Sequence, residues 1–207
     1  MKTSITSLLI IFCFSILTYA QTPQDRATEL KEQAQNSLKQ KDYIKARYLF
    51  KKAYEAFAIR ENYPQAIECG VQANALYVRE NFYKEGFELC RDMEQLLWTG
   101  EQNKKKVFYD LRFLINKERL QMYTVLKNPA QAKTQLDKLE ETANLAKNDS
   151  LTEMLLYTKA NYYYTFNQNT EGDACFRKLI NQYKEKKDYA KVNDCYKNLI
   201  NIAREGN

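Results

Sequence analysis

A triplet of residues recurs along this sequence at helical spacing, and it constrains the fold more than any other feature. Each triplet has a small residue, an apolar residue four positions later and another apolar or small residue three positions after that. The four triplets are Ala46–Phe50–Ala53, Gly86–Cys90–Met93, Ala132–Leu136–Leu139 and Gly172–Phe176–Leu179. Because residues three and four apart share one face of a helix, each triplet indicates a buried face that a neighbouring helix can approach closely.

Apolar residues at helical spacing run through almost all of the chain after residue 20, and nothing indicates a strand. Pro64 and Pro129 stand where helices should begin, because proline is favoured in the first turn. Asn128 is suited to cap the second of these helices, and Ser150 with Glu153 forms a capping-box pattern. The sequence predicts nine helices, over about 24–39, 43–60, 63–80, 83–99, 102–126, 129–146, 150–167, 170–185 and 188–204.

The short loops between these helices predict antiparallel helical hairpins, with each triplet on the second helix of a pair. Twelve residues before each triplet, the first helix of the pair has a residue that we expect where the two helices cross, which we call the crossing residue. The crossing residues are Ala34, Asn74, Leu120 and Ala160. The alternative is a plain helical bundle with accidental periodicity. The ninth helix aligns with the first helix of a fifth pair. It is predicted to close the core with a polar face made of Lys187, Asp188, Lys191, Asn193, Asp194, Lys197, Asn198 and Asn201.

The pattern resembles the tetratricopeptide repeat (TPR), best in Ala34–Tyr43–Ala46–Phe50–Ala53 and also in Ala160–Tyr163–Gly172–Phe176. The resemblance covers nearly all of the chain after residue 20. It implies an all-α, right-handed superhelix of four hairpins and a terminal capping helix. The small residues of successive triplets are separated by 40, 46 and 40 positions, whereas the family period is about 34. The helices are therefore expected to be longer than usual, or the turns wider.

Residues 1–20 have the layout of a secretory signal peptide: Lys2, an apolar run from Leu8 to Leu17, and small residues at Thr18 and Ala20. An uncleaved anchor is the alternative. Gln21 stands where a lipoprotein would need cysteine, so a lipid anchor is not expected. The sequence predicts export to the periplasm or the cell surface, with one repeat domain over 21–207 and no later membrane segment.

The composition argues against catalysis. The chain has no histidine, which removes the commonest general base and metal ligand. It also has no glycine-rich phosphate loop and no close pair of cysteines. The net charge of +6 comes from interleaved acidic and basic residues, which is typical of a solvated helical surface. We therefore expect no enzyme activity, no cofactor or metal, and no nucleic-acid partner.

Four cysteines follow the signal: Cys69, Cys90, Cys175 and Cys195. Cys69 and Cys90 lie about equally far from one predicted turn, and Cys175 and Cys195 lie about equally far from another. Each pair would therefore come side by side on two antiparallel helices, which predicts the disulfide bridges Cys69–Cys90 and Cys175–Cys195. Export to oxidising conditions favours these bridges. The alternative is four reduced cysteines that act as small apolar core residues, and the place of Cys90 in a triplet favours it.

In the family that the chain resembles, the first helices line a concave binding surface, and in some members a Lys–Asn pair grips a peptide carboxylate. A similar pair, lysine followed four positions later by an amide, recurs in three first helices here. A solvated helix face explains the same residues. The resemblance implies these candidate binding residues: Lys31, Gln35, Lys117, Gln121, Tyr157, Asn161, Tyr164, Lys197 and Asn201.

The sequence thus favours an exported scaffold or adaptor that binds a protein or peptide. The alternative is a detached sensor module of a bacterial signalling protein, either a histidine kinase or a transcriptional regulator. A further local pattern, Asp149–Ser150–Leu151, is similar to a bacterial O-glycosylation sequence, although the predicted capping role of Ser150 also explains it.

Overall fold

A computed structural model describes the backbone of residues 23–205 and the side chains of residues 26–202. Over this range the chain is all-α, with nine helices and no strand, as predicted. The predicted export signal, residues 1–20, lies outside the described residues. The helices are α1 (Pro23–Lys39), α2 (Tyr43–Ala58), α3 (Tyr63–Arg79), α4 (Tyr83–Lys104), α5 (Tyr109–Val125), α6 (Pro129–Ala146), α7 (Asp149–Thr165), α8 (Asn169–Glu185) and α9 (Tyr189–Glu205).

The chain divides into two compact units, and the boundary between Ala73 and Asn74 falls within α3. In the first unit, α1 and α2 pack against each other as a hairpin. In the second unit, α5 packs on α6 and α7 packs on α8, as the predicted pairing requires. α9 packs on α8, and α5 also contacts α7. The first helices of two consecutive hairpins are therefore direct neighbours.

The helices begin at a constant interval except for one longer step, from Tyr83 at the start of α4 to Tyr109 at the start of α5. The predicted break after residue 99 was wrong, because α4 continues through the buried Gly100 and ends at Lys104. Glycine weakens a helix interior but does not by itself end a helix. The lengthened α4 lies where the spacing of the triplets is widest, between Gly86 and Ala132.

The turns share one backbone geometry in which a residue other than glycine adopts a left-handed conformation. In the turn after α1, the amide of Lys41 donates to the carbonyl of Leu38 at 3.0 Å, and that of Asp42 donates to Ser37 at 2.9 Å. This Schellman arrangement satisfies the last carbonyls of the helix, and it recurs after α2, α3, α5, α7 and α8. The left-handed residues are Lys41, Glu61, Asn81, Lys105, Lys127, Lys147, Asn167 and Lys187.

The residue that follows the left-handed position often caps the next helix. A carboxylate oxygen of Asp42 accepts the amide of Lys45, and the side chain of Asn128 accepts that of Gln131, both at 3.2 Å. Asp188 has the same role before α9. The predicted cap at Asn128 is confirmed. One short turn thus ends a helix and begins the next.

The predicted capping box at Ser150 was wrong. α7 begins at Asp149, and its cap is Asn148, whose side-chain oxygen accepts the amide of Ser150 at 2.8 Å. Ser150 therefore lies inside the first turn, where its side chain is exposed. Glycosylation of Ser150 stays a prediction.

Glu153 instead joins three elements at the carboxyl-terminal end of the chain. Its carboxylate accepts hydrogen bonds from the Tyr183 hydroxyl at 3.2 Å and from the Lys186 and Lys191 ammonium groups at 3.0 Å each. Burial opposes ionisation of this carboxyl, but the hydrogen bonds from Lys186, Lys191 and Tyr183 outweigh it and lower the pKa of Glu153. The carboxylate thereby ties α7 to α8 and α9.

The predicted triplets form the core. In one buried cluster the α6 triplet packs with Leu120 of α5. In another, Phe176 and Leu179 of the α8 triplet pack with Ala160 of α7. Leu120 and Ala160 are crossing residues that the sequence places twelve positions before their triplets. Both predicted hairpin contacts are therefore confirmed in this unit.

At two triplets the small residue is glycine, and side-chain atoms of a neighbouring helix occupy the space that a Cβ would need. A Cβ added at Gly172 would lie 2.8 Å from Cε2 and Cζ of the Tyr164 ring. A Cβ at Gly86 would lie 2.8 Å from Sδ of Met122 and 3.0 Å from Oδ1 of Asn74. Ordinary contact between carbon atoms lies at about 3.5–4.0 Å. At these two positions glycine therefore leaves room for a side chain of the neighbouring helix.

Candidate functional site

The most suitable binding surface is a groove between α5 and α7, the first helices of two neighbouring hairpins. It encloses about 280 Å³. Leu120 and Tyr162 are buried and form its apolar base. Three of the predicted candidate residues lie around it, namely Lys117, Gln121 and Asn161, together with Thr124 and Thr158.

The polar groups around this groove differ in whether they are already used. The hydroxyl of Thr124 donates to the carbonyl of Leu120 at 2.7 Å, and that of Thr158 donates to Met154 at 2.7 Å. Within the part of the chain that the structure describes, the side chains of the three predicted residues form no hydrogen bond or ion pair. These side chains, Lys117, Gln121 and Asn161, are available to a ligand.

Glu118, which follows Lys117 in the sequence of α5, belongs to a buried polar pair. The side-chain amide of Asn74 donates to a carboxyl oxygen of Glu118 at 2.9 Å, and both residues are almost fully buried. Burial raises the pKa of the Glu118 carboxyl, against the opposing effects of the Asn74 hydrogen bond and the charge of Lys117. The oxygen of the Asn74 amide is buried without a partner. Glu118 therefore serves the packing of α5 rather than the groove.

A second cavity, of about 330 Å³, is formed by α4, α5 and α6. It has two exposed apolar residues at its edge, Trp98 and Leu145, which are 63% and 55% exposed. The sequence predictions missed it because they placed binding residues only on the first helices of the hairpins, whereas α4 and α6 are second helices. The signals that point to it are the single tryptophan of the chain and the longer triplet interval.

The charges in this second cavity largely neutralise one another. Arg112 donates to Glu101 at 2.6 Å, and the backbone amide of Phe108 donates to the same carboxylate at 3.0 Å. Arg119 binds both carboxylate oxygens of Glu94, at 2.6 and 2.7 Å. A charged ligand would have to compete with these pairs, which makes the cavity a weaker candidate than the α5–α7 groove.

In the amino-terminal unit, Lys31 and Gln35 line a smaller cavity of about 200 Å³, whose wall includes Cys69. The Lys31 ammonium group donates to Gln65 at 2.8 Å and to Glu68 at 2.9 Å. Lys31 therefore has side-chain partners within its unit, whereas Lys117, at the same place in its repeat, has none in the part of the chain that the structure describes.

The remaining predicted residues lie elsewhere. The Tyr157 ring packs edge-on against Phe176, with its hydroxyl 3.2 Å from the Cys195 sulfur. Tyr164 packs near the same phenylalanine and donates to Asp173 at 2.5 Å. Both tyrosines are thus used in contacts of α7 with α8 and α9. The last two residues are exposed on α9: Lys197, which pairs with Asp194, and Asn201.

The four described cysteines are buried free thiols, which corresponds to the reduced alternative. Burial raises the pKa of the Cys69 and Cys90 thiols to about 12. The structure forms neither predicted bridge, Cys69–Cys90 or Cys175–Cys195. Bridge formation after export stays a prediction for peptide mapping without reduction.

In comparisons with known proteins, no protein-family model matches the sequence and no curated protein matches it. Among the described side chains, no group of three potential ligands is placed to hold a metal ion. None of the helices described is long and apolar enough to cross a membrane.

Proposed function

We propose that this chain is an exported, non-catalytic, TPR-like protein that binds a peptide segment of a partner protein in the α5–α7 groove. The observation that carries this proposal is the set of three side chains, Lys117, Gln121 and Asn161, that surround an apolar base and have no hydrogen-bond or ion-pair partner among the described residues. Polar groups around an apolar depression are the usual composition of a binding site.

The chemistry of the three side chains favours a peptide with an acidic group. Lys117 offers a cation to a carboxylate, either at a peptide's carboxyl terminus or on an acidic side chain. Gln121 and Asn161 each carry a donor and an acceptor, so they can bond the backbone of a peptide in extended form. Leu120 and Tyr162 would contact an apolar side chain between these anchors.

The TPR-like assignment is supported by the repeated triplets and by the regular interval between helix starts, with successive hairpins beginning at Tyr109 and Asp149. This interval is longer than the family period of about 34. Export is supported by the composition of residues 1–20, with Lys2, the apolar run and the small residues before Gln21. The complete absence of histidine supports a binding role over catalysis.

Selection from a peptide library tests the proposal. We expect selected peptides to be enriched in carboxylates and to bind wild type saturably. Because a hydrogen bond to a charged group contributes about 1.5–3 kcal/mol, Lys117→Ala should weaken binding by about tenfold to a hundredfold. Lys178→Ala removes an exposed lysine from α8 and is the matched control, with binding unchanged. The proposal fails if no peptide is selected, or if Lys117→Ala binds as well as the control variant.

A further inference from the structure

The terminal helix α9 has an apolar side that no described residue covers. Tyr189, Tyr196 and Ile200 are 63%, 44% and 51% exposed. They are seven and four residues apart and so lie along one side of the helix, which we call the α9 stripe. A different side of α9 packs on α8 through Val192 and Cys195. The predicted polar side of α9 is exposed as well, but it does not include the stripe.

The internal repeat shows how the equivalent side of a first helix is used in the preceding hairpins. The starts of α9, α7 and α5 can be aligned without gaps, since the three helices are equally long. Ile200 then corresponds to Ala160 and Leu120, which are 0% and 2% exposed. Tyr196 corresponds to Leu156, which is 7% exposed. Tyr196 and Ile200 thus expose positions that are buried in the preceding first helices, whereas Tyr189 corresponds to the exposed Asp149.

In each of those hairpins, the second helix covers these positions. The α6 triplet, which begins with Ala132, packs on Leu120, and Phe176 and Leu179 of α8 pack in the cluster that contains Ala160. The small residue of the triplet allows the close crossing, and the larger residues fill the space beside it. A helix that carries this triplet is the element that complements the side α9 exposes.

We propose that the α9 stripe is a docking surface for an amphipathic helix of a partner protein, one that carries alanine or glycine at the crossing and apolar residues four and seven positions later. Ile200 is large, as Leu120 is, so the α6 triplet Ala132–Leu136–Leu139 is the best guide to the complementary sequence. This surface is separate from the groove at Lys117 and does not depend on the function proposed for it.

A second copy of α9 is a poorer occupant of this surface. If two stripes were paired, tyrosine and isoleucine would oppose tyrosine and isoleucine, with no small residue at the crossing. Every triplet in this chain begins with alanine or glycine. Close packing of two helices would be lost in such a pair, because bulky side chains would hold their backbones apart.

The test uses the full chain and a fluorescent peptide with the sequence of residues 128–147, followed by anisotropy. We expect saturable binding, weakened about tenfold or more by Ile200→Lys because a buried apolar contact is replaced by a charge. Asn198→Ala, on another exposed side of α9, and Lys117→Ala, in the groove, should leave binding unchanged. A peptide with Leu136→Asp should not bind.

Circular dichroism of the variants checks that they are folded, as expected for changes at exposed positions. Absence of saturable binding by wild type would overturn the proposal. So would equal binding by Ile200→Lys, because the peptide would then occupy another surface. Sedimentation velocity tests whether the stripe instead pairs with α9 of a second copy of this chain. If the wild type formed a dimer and Ile200→Lys abolished it, the stripe would be a dimer interface and the proposal would be overturned.

Discussion

The substitution Gly172→Ala tests whether the small position of the triplet is set by contact between helices. The added Cβ would lie 2.8 Å from two carbons of the Tyr164 ring. Since carbon atoms prefer about 3.5–4.0 Å, the ring would have to retreat by about 1 Å. The ring has little freedom to do so, because its hydroxyl donates to Asp173 at 2.5 Å and its face lies near Phe176.

The net effect is the difference between two opposing terms. Overpacking of this kind costs about 1–3 kcal/mol. Replacing glycine with alanine in a helix contributes about 0.5–1 kcal/mol in the stabilising direction. We therefore expect Gly172→Ala to lower the free energy of unfolding by about 1–2 kcal/mol. Equilibrium unfolding in urea, followed by far-ultraviolet circular dichroism, measures this change.

A double-mutant cycle with Tyr164→Ala isolates the contact. Without the ring, Gly172→Ala should become neutral or stabilising, since only the helix propensity remains. Tyr164→Phe is the control, because it removes the hydroxyl but keeps the ring and hence the clash. If Gly172→Ala stabilised the wild type as much as it stabilised the Tyr164→Ala variant, the close approach of α7 and α8 would be refuted.

Three further predictions concern the buried carboxyl, the turns and the thiols. Glu118→Gln should raise the free energy of unfolding at neutral pH. Because burial raises the pKa of Glu118 in the folded state, the wild type loses stability as the pH rises from the unfolded-state pKa of 4.5 through the folded-state pKa. Urea unfolding across this pH range should show that decline in the wild type and a smaller one in the variant. Lys187→Gly should stabilise the protein by about 0.5–1 kcal/mol in the same assay, because Lys187 has φ of 56° and glycine adopts that conformation without strain; a loss of stability would contradict the turn geometry. Alkylation of Cys69 and Cys90 at pH 8 should be slow in the native protein and fast in urea, as buried thiols with a pKa of about 12 require; rapid native labelling would contradict their burial, and failure to label in urea without reductant would indicate bridges.

Periodicity and turn chemistry were sufficient to predict most of the helices. Asn128 and Pro129 show why: both the cap and the proline act within one turn, so their effect is local. Gly100 shows where local reasoning fails. It resembles a break in the sequence, yet the contacts that bury it keep it helical, and only tertiary structure contains those contacts.

The binding residues were harder to predict, because equivalent repeat positions have different neighbours. Lys31 and Lys117 align in the repeat, but Lys31 bonds to Gln65 and Glu68, whereas Lys117 has no such partner among the described residues. Tyr164 was expected on the binding surface, yet its position depends on Gly172 of the next helix. The periodicity of apolar residues identifies the faces of a helix, but it does not show which face a second helix will cover.

Photo-cross-linking of a selected peptide tests the central claim most directly, because it locates the ligand on the protein. A photoreactive residue would replace Gln121 in the α5–α7 groove, Glu141 in the cavity of α4, α5 and α6, or Ile200 on α9. We expect strong cross-links from position 121, weak ones from positions 141 and 200, and loss of the cross-links from 121 with Lys117→Ala. Strong cross-linking from position 141 or 200, with none from 121, would contradict the central claim.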